Sequence, residues 1–211
     1  MRELPDAILL LGPTGSGKTP LGRALQARGL GGRRCAHFDF GEHLRQAVAS
    51  GVAGKMFTRS EIDFLRRVLE SGALLEDRDF PLAERILRSF LETRSVGGDT
   101  WVVLNGLPRH LGQAESLSRI LRVMLVVCLE CSAATVAARI ASDTGGDRAG
   151  RADDALPAIE RKLALYAERT APLVDYYRAR GARVVRLDVS RRMTGAHAWK
   201  RLQQLVVSAR G

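Results

Sequence analysis

The stretch that decides the fold lies near the start of the chain and reads Gly12-Pro13-Thr14-Gly15-Ser16-Gly17-Lys18-Thr19. It matches the pattern G-x-x-x-x-G-K-[ST], whose glycines let the backbone bend until its N–H groups surround a phosphate. The apolar run 7–11 before it indicates a buried strand, and residues 18–26 have the pattern of a helix, whose N-terminus attracts anions. We therefore predict a phosphate-binding loop, in which Lys18 reaches the β- and γ-phosphates of a nucleotide and the Thr19 hydroxyl ligates Mg²⁺. A strand-to-helix turn without a ligand is the alternative.

Five short apolar runs, separated by helical patterns, predict a five-stranded parallel sheet with helices on both faces, a three-layer α/β fold of the P-loop NTPase type. The runs cover residues 7–11, 34–38, 101–105, 123–129 and 183–187. Ligands of such sheets bind at the carboxyl ends of the strands. Those ends carry Gly12, Asp39, Asn105 with Gly106, and Glu130, so the loops that follow them should meet at one cleft.

Two intervals are too long for simple connections between neighbouring strands. Residues 40–94 contain three helical patterns, over 42–50, 60–71 and 80–93, and predict a helical insert at the edge of the sheet. Residues 142–152 are rich in Gly, Asp and Arg and predict a short mobile lid. We expect a single domain, whose core comprises residues 1–39, 95–141 and 153–211.

The composition limits the kinds of binding partner and the cellular location that we expect. The chain has 211 residues and a net charge of +10, and 29 of its 33 cationic residues are arginines, whose guanidinium fork suits phosphate. These arginines are spread along the chain rather than gathered into one block, which argues against a nucleic-acid partner. No apolar run is long enough for a membrane span, and the three cysteines are an odd number. We expect a cytoplasmic protein with reduced thiols, and a monomer.

Four further segments occur in a fixed order with the glycine-rich loop. They are Gly41-Glu42-His43-Leu44-Arg45, Asn105-Gly106-Leu107-Pro108-Arg109 with Gln113 beyond it, Gly150-Arg151-Ala152-Asp153-Asp154, and residues 170–177. Together with the loop they resemble the adenylate kinase family of nucleoside monophosphate kinases, from the first strand to about Asp188. The short interval between Arg139 and Arg151 is similar to the short-lid members of that family.

The resemblance implies phosphoryl transfer from Mg²⁺-bound ATP to a nucleoside monophosphate, and it implies roles for individual residues. The catalytic residues would be Lys18, Arg109, Arg151 and Lys162. The ATP would be bound by the loop from Gly12 to Thr19 with Arg139 and Arg148, and the monophosphate by Arg45, Gly106, Arg109 and Gln113. Mg²⁺ would be held near Thr19 and Asn105. Arginines on the insert and the lid would neutralise the transferring group and exclude water.

The chain departs from the family pattern at several of these positions. Asn105 stands where the family usually has an aspartate that organises the water shell of Mg²⁺, and Lys162 replaces an arginine. The other departures are Pro20 after the loop, Phe40 and Glu42 around Gly41, and Glu76 after the segment 72–75. These changes leave the nucleobase open. They also leave two other functions open, a nucleotide-binding module without catalysis and a P-loop kinase of a non-nucleotide metabolite.

Overall fold

The fold is built on a sheet of five parallel strands, seen in a computed structural model that describes residues 3–94, 96–146 and 156–207. The strands are β1 (Asp6–Leu11), β2 (Arg34–Asp39), β3 (Thr100–Asn105), β4 (Arg122–Glu130) and β5 (Arg183–Asp188). Their spatial order is β2-β3-β1-β4-β5. The five apolar runs are therefore confirmed as strands, each longer than predicted by one residue at one or both ends.

Helices cover both faces of this sheet. Those in the described part of the chain are α1 (Lys18–Arg28), α2 (Phe40–Ser50), α3 (Arg59–Ser71), α4 (Phe80–Thr93), α5 (Leu111–Leu117), α6 (Ala133–Ala141), α7 (Leu156–Leu165), α8 (Leu173–Ala179) and α9 (Gly195–Val207). None of them is long and apolar enough to cross a bilayer. The predicted three helices between β2 and β3 are present, which confirms the three-layer P-loop architecture with an insert of helices α2–α4.

The alternation of side chains along β1 explains the three layers. Ala7, Leu9 and Leu11 pack into a hydrophobic cluster with helices α2–α5 and α8. Ile8 and Leu10 point to the other face and pack against α1 and α9. Successive side chains of a strand lie on opposite faces of the sheet, so a run that is apolar at every position is buried on both. This burial fixes β1 at the centre and the glycine-rich loop at its carboxyl end.

Two helices begin earlier than the sequence pattern suggested, because their N-caps lie outside the apolar periodicity. Helix α3 begins at Arg59 rather than Ser60, since Thr58 and Glu61 form a capping box in which each side chain bonds the other's backbone N–H. Helix α2 begins at Phe40 rather than Glu42, since Oδ1 of Asp39 accepts a hydrogen bond from the Glu42 N–H at 3.2 Å. The second cap holds an acidic side chain at the carboxyl end of β2.

Candidate functional site

The glycine-rich loop between β1 and α1 has the backbone that its sequence predicts. Gly12, Gly15 and Gly17 have φ of 153°, 75° and 97°, a region that residues with a side chain rarely adopt. Gly12 also has no room for one, because a Cβ there would lie 2.6 Å from Oγ of Ser16 and 2.8 Å from the Leu129 carbonyl oxygen. These three positions therefore require glycine, and the loop they form opens at the carboxyl edge of the sheet.

Lys18, which is predicted to reach the nucleotide phosphates, lies along this loop. It is half-buried, and its Nζ donates hydrogen bonds to the carbonyl oxygens of Gly12 at 2.7 Å and Pro13 at 2.8 Å. The loop carbonyls thus hold the ammonium charge at the loop, where a phosphate bound by the backbone N–H groups would meet it.

Arg139 on α6 supports the loop from a distant part of the sequence. Its Nε donates to the Gly15 carbonyl at 3.0 Å, and its Nη1 donates to the carbonyls of Ser190 at 2.8 Å and Met193 at 2.9 Å. Only 4% of the residue is exposed. The family resemblance implies that Arg139 binds ATP. The structure places it at the cleft but adds a positioning role, since it ties the phosphate loop to the chain between β5 and α9.

Thr19, Asp39 and Asn105 form a buried hydrogen-bonded cluster beside the loop. The Thr19 hydroxyl donates to Oδ2 of Asp39 at 2.7 Å. Nδ2 of Asn105 donates to the same carboxylate oxygen at 2.8 Å and to Oγ1 of Thr19 at 3.0 Å. At most 8% of any of the three residues is exposed. Hydroxyl and carboxylate oxygens are the ligands that Mg²⁺ prefers, so the donor set fits the predicted ion.

Asp39 was not predicted as a site residue, although it was noted at the end of its strand. The sequence signal was only its place at the end of a strand, since the structure is needed to show that β2 lies beside β3 and that Asp39 is directly opposite Asn105 in the parallel register. Within the described residues, no group of three His, Cys, Asp or Glu side chains could hold a metal ion. A cation at this cluster would therefore share its coordination with the phosphates and waters of a bound nucleotide.

Arg109, after β3, presents a cation without a counter-charge in the described part of the chain. Its backbone is held at both ends, because its N–H donates to Oε1 of Gln113 and its carbonyl accepts from the Thr170 hydroxyl, each at 2.8 Å. Its guanidinium has no hydrogen-bond acceptor among the described residues. Desolvation lowers the pKa of this guanidinium from its ordinary value, and no described carboxylate offsets the effect. Arginine stays charged at neutral pH, so the cleft holds a positive charge that an anion would neutralise.

The helical insert and the segments packed on it add further predicted residues to this side of the cleft. Arg45 is exposed on α2, with its guanidinium over Gly41 one turn earlier. Gln113 is almost fully buried, and its Nε2 donates to the Leu75 carbonyl at 2.7 Å. Lys162 on α7 lies against Gly72, the residue that ends α3. Gln113 and Lys162 therefore both touch the segment that follows α3.

One cleft at the carboxyl edge of the sheet brings most of the predicted residues together. Its lining includes Gly12, Thr14, Gly15, Gly17, Lys18, Thr19, Arg45, Asn105, Gly106, Arg109, Gln113, Arg139 and Lys162. Pro13 and Ser16 are buried within the loop instead of lining the cleft. Arg148 and Arg151 lie outside the described residues.

Curated proteins are similar to this chain over most of their length. The adenylate kinase of Synechococcus sp. (strain WH7803) is 35% identical over 184 residues, which cover 84% of this chain and 87% of the relative. Those of Stenotrophomonas maltophilia (strain R551-3) and Thermus thermophilus are each 33% identical, over 86% and 85% of this chain and 89% and 87% of the relatives. The chain belongs to the adenylate kinase family. No family model matches it.

Membership of the adenylate kinase family makes the chain an ATP-dependent phosphotransferase of the nucleoside monophosphate kinase type. It confirms the resemblance inferred from the five ordered segments. Family membership also bears on Asn105, which stands on β3 where the family usually has an acid. A buried acid on the neighbouring strand β2, Asp39, accepts a hydrogen bond from Asn105.

Proposed function

We propose that the chain transfers the γ-phosphoryl group of Mg²⁺-bound ATP to a nucleoside monophosphate, and that AMP is its acceptor. The observation that carries this proposal is the charge of Arg109, uncompensated by any described residue, in the same cleft as the phosphate loop. A partly desolvated charge without a partner is costly, and a dianionic phosphate would remove the cost by bonding the guanidinium fork. The cleft then holds two phosphate sites, the loop for the donor and the Arg109 side for the acceptor.

The chemistry needs little more than alignment and charge neutralisation. In-line phosphoryl transfer requires no side-chain nucleophile, because the acceptor phosphate oxygen attacks the γ-phosphorus and ADP leaves. The loop N–H groups and Lys18 would hold the donor phosphates, and Arg45 with Arg109 would hold the acceptor. Lys162 would neutralise charge between them. We assign Arg148 and Arg151 to the donor and to the transferring group on the resemblance alone.

Adenine as the base is supported by the relatives and by Gln113. The relatives named above are adenylate kinases. The Gln113 amide uses one oxygen lone pair for the Arg109 N–H and one amide proton for Leu75, and an amide has a second of each. The Watson–Crick edge of adenine offers one donor and one acceptor, which is the pattern that such an amide matches.

The insert and the lid would supply closure. We propose that residues 40–94 carry the acceptor, that the lid expected at residues 142–152, of which 147–152 lie outside the described residues, closes over the donor, and that the two segments exclude water when both substrates are bound. We also propose that the protein is a monomer without a nucleic-acid partner, because one chain supplies both phosphate sites of the cleft.

A panel experiment tests the function. Mg²⁺-ATP is mixed with AMP, CMP, UMP or GMP, and ADP formation is followed for the wild type and for Lys18→Ala. We expect turnover with AMP in the wild type and none in the variant. Binding of ATP without turnover on any monophosphate would instead support the nucleotide-binding module, and turnover only with a non-nucleotide acceptor would support the metabolite kinase.

A further inference from the structure

We propose that Asp39 supplies from β2 the negative charge that this family usually places on β3 at the position of Asn105, and that Asp39 thereby positions the Mg²⁺ of the bound nucleotide. Asp39 would act through the Thr19 hydroxyl, which is the metal ligand, while Asn105 holds the carboxylate in place. The inference rests on the proposed function, because the ion arrives with ATP.

The first support is the register of the sheet. Asp39 and Asn105 are paired residues of adjacent parallel strands, and each is the last residue of its strand. Adjacent strands lie about 4.8 Å apart. Compared with an aspartate at position 105, the acid at position 39 is therefore shifted by one strand, but it lies at the same level along the strands. An acid in either place therefore reaches the same point beside the phosphate loop.

The second support is the direction of the hydrogen bonds. Thr19 and Asn105 both donate to Oδ2 of Asp39, at 2.7 and 2.8 Å. An ionised carboxylate only accepts, so its neighbour at position 105 must be a donor, which the asparagine amide is and an aspartate is not. The carboxylate of Asp39 and the amide of Asn105 are therefore complementary. The acid at position 39 explains why position 105 carries an amide.

The third support is the state of the Thr19 hydroxyl. The hydroxyl donates its proton to Asp39 and accepts the Nδ2–H of Asn105 with one of its two lone pairs, so a second lone pair can face a cation, and the carboxylate makes that oxygen more electron-rich. Partners that accept protons from ligands raise the basicity of those ligands and fix their orientation. A serine or threonine in this position of a phosphate loop ligates Mg²⁺. Asp39 therefore has the contact that a positioning residue for the ion needs.

Asp39 also has a purely structural task, which the test must separate from the proposed one. Its Oδ1 caps α2 through the Glu42 N–H. Asparagine caps helices as well as aspartate does, so Asp39→Asn retains the cap and removes the charge. The exchanged variant Asp39→Asn with Asn105→Asp returns the acid to β3 and keeps one acid and one amide in contact.

The test measures the binding of the non-hydrolysable β,γ-imido analogue of ATP by calorimetry, first in EDTA and then at increasing Mg²⁺. We expect Asp39→Asn to bind the analogue like the wild type in EDTA but to need about 10- to 100-fold more Mg²⁺ for the half-maximal gain in affinity. The exchanged variant should return to within a few-fold of the wild type. Glu130→Gln is the matched control, since it removes a carboxylate that ends β4 and pairs with Arg186.

Four results would each count against the inference or against the function on which it rests. An unchanged Mg²⁺ requirement in Asp39→Asn would show that Asp39 only caps α2. An exchanged variant as poor as Asp39→Asn would show that an acid on β3 does not replace the acid on β2, and would reject the inference. A wild type that fails to bind the analogue would refute the proposed function instead. If Asp39→Asn does not fold, Asn105→Asp carries the test: Mg²⁺ alone should raise the melting temperature of this two-acid variant more than that of the wild type, and equal shifts would reject the inference.

Discussion

Arg109 allows the most direct test, because its removal should affect binding and stability in opposite directions. Arg109→Met retains most of the apolar stem and deletes the charge. A hydrogen bond to a charged group contributes about 1.5–3 kcal/mol, which corresponds to a loss of about 10- to 150-fold in affinity for the monophosphate. ATP should bind as before, because the proposed donor site, the loop with Lys18, is unchanged in this variant. The unliganded protein should be as stable as the wild type or more so, since a desolvated cation that no described residue compensates has been removed.

The assay combines calorimetric titration of AMP and of an ATP analogue with thermal melting of the unliganded protein. Arg33→Ala is the contrasting control. Arg33 donates to Asp6 at 2.9 Å and to the Gly98 carbonyl at 2.8 Å, so its removal should lower the melting temperature and leave AMP affinity unchanged. A loss of ATP affinity with AMP unaffected would reverse the assignment of the two sites. A lower melting temperature in Arg109→Met would refute the claim that the charge of Arg109 does not stabilise the unliganded protein.

Other contacts carry three further predictions. Lys18→Ala should lower the rate of phosphoryl transfer by at least about 100-fold with little loss of stability, and unchanged steady-state turnover would exclude the loop as the donor site. Arg139→Ala should weaken ATP binding and also lower the melting temperature, because it releases the loop carbonyl at Gly15; a change in only one of the two would contradict the positioning role. Burial raises the pKa of Asp6, but hydrogen bonds from Arg122 and Arg33 lower it overall, so its stabilising effect is present above about pH 4 and is lost as the pH falls through the depressed value. Asp6→Asn should therefore reduce the acid dependence of the free energy of unfolding, and an unchanged pH profile would show that these ion pairs do not stabilise the fold.

The strands and the loop were predictable because their signals are local. A strand that is buried on both faces must be apolar at nearly every position, as residues 7–11 are. The three loop glycines are required by backbone geometry that no other residue adopts easily. The helix starts were less predictable, since the segment before α3 offers two hydroxyl residues, Thr58 and Ser60, as caps. Only the bond to the Glu61 N–H decides between them.

The residues of the cleft that belong to one sequence motif were predictable. The contact between Asp39 and Asn105 was missed, because it joins two strands. Sequence alone indicates that Asp39 ends one strand and Asn105 another, but not that the two strands are neighbours in register. The sequence also did not show that Arg109 lacks a counter-charge among the described residues, because a sequence shows which cations are present but not which anions lie near them. The contacts of Lys18 to the loop carbonyls were not predicted either, because they depend on the curvature of the loop itself.

The contact between Asp39 and Asn105 also couples the effects of substitutions at the two positions. In a chain with asparagine at position 39 and aspartate at position 105, one of the two substitutions alone would give two facing carboxylates, and the other alone would give two amides. The first intermediate is strained without a cation, and the second lacks the charge that holds one. The effects of the two substitutions are therefore not additive, and the tolerance of one position depends on the residue at the other. Replacing Asn105 by the aspartate that the family usually has there would not by itself reproduce the family arrangement, because Asp39 would still lie opposite it. Position 39 has to be changed together with position 105.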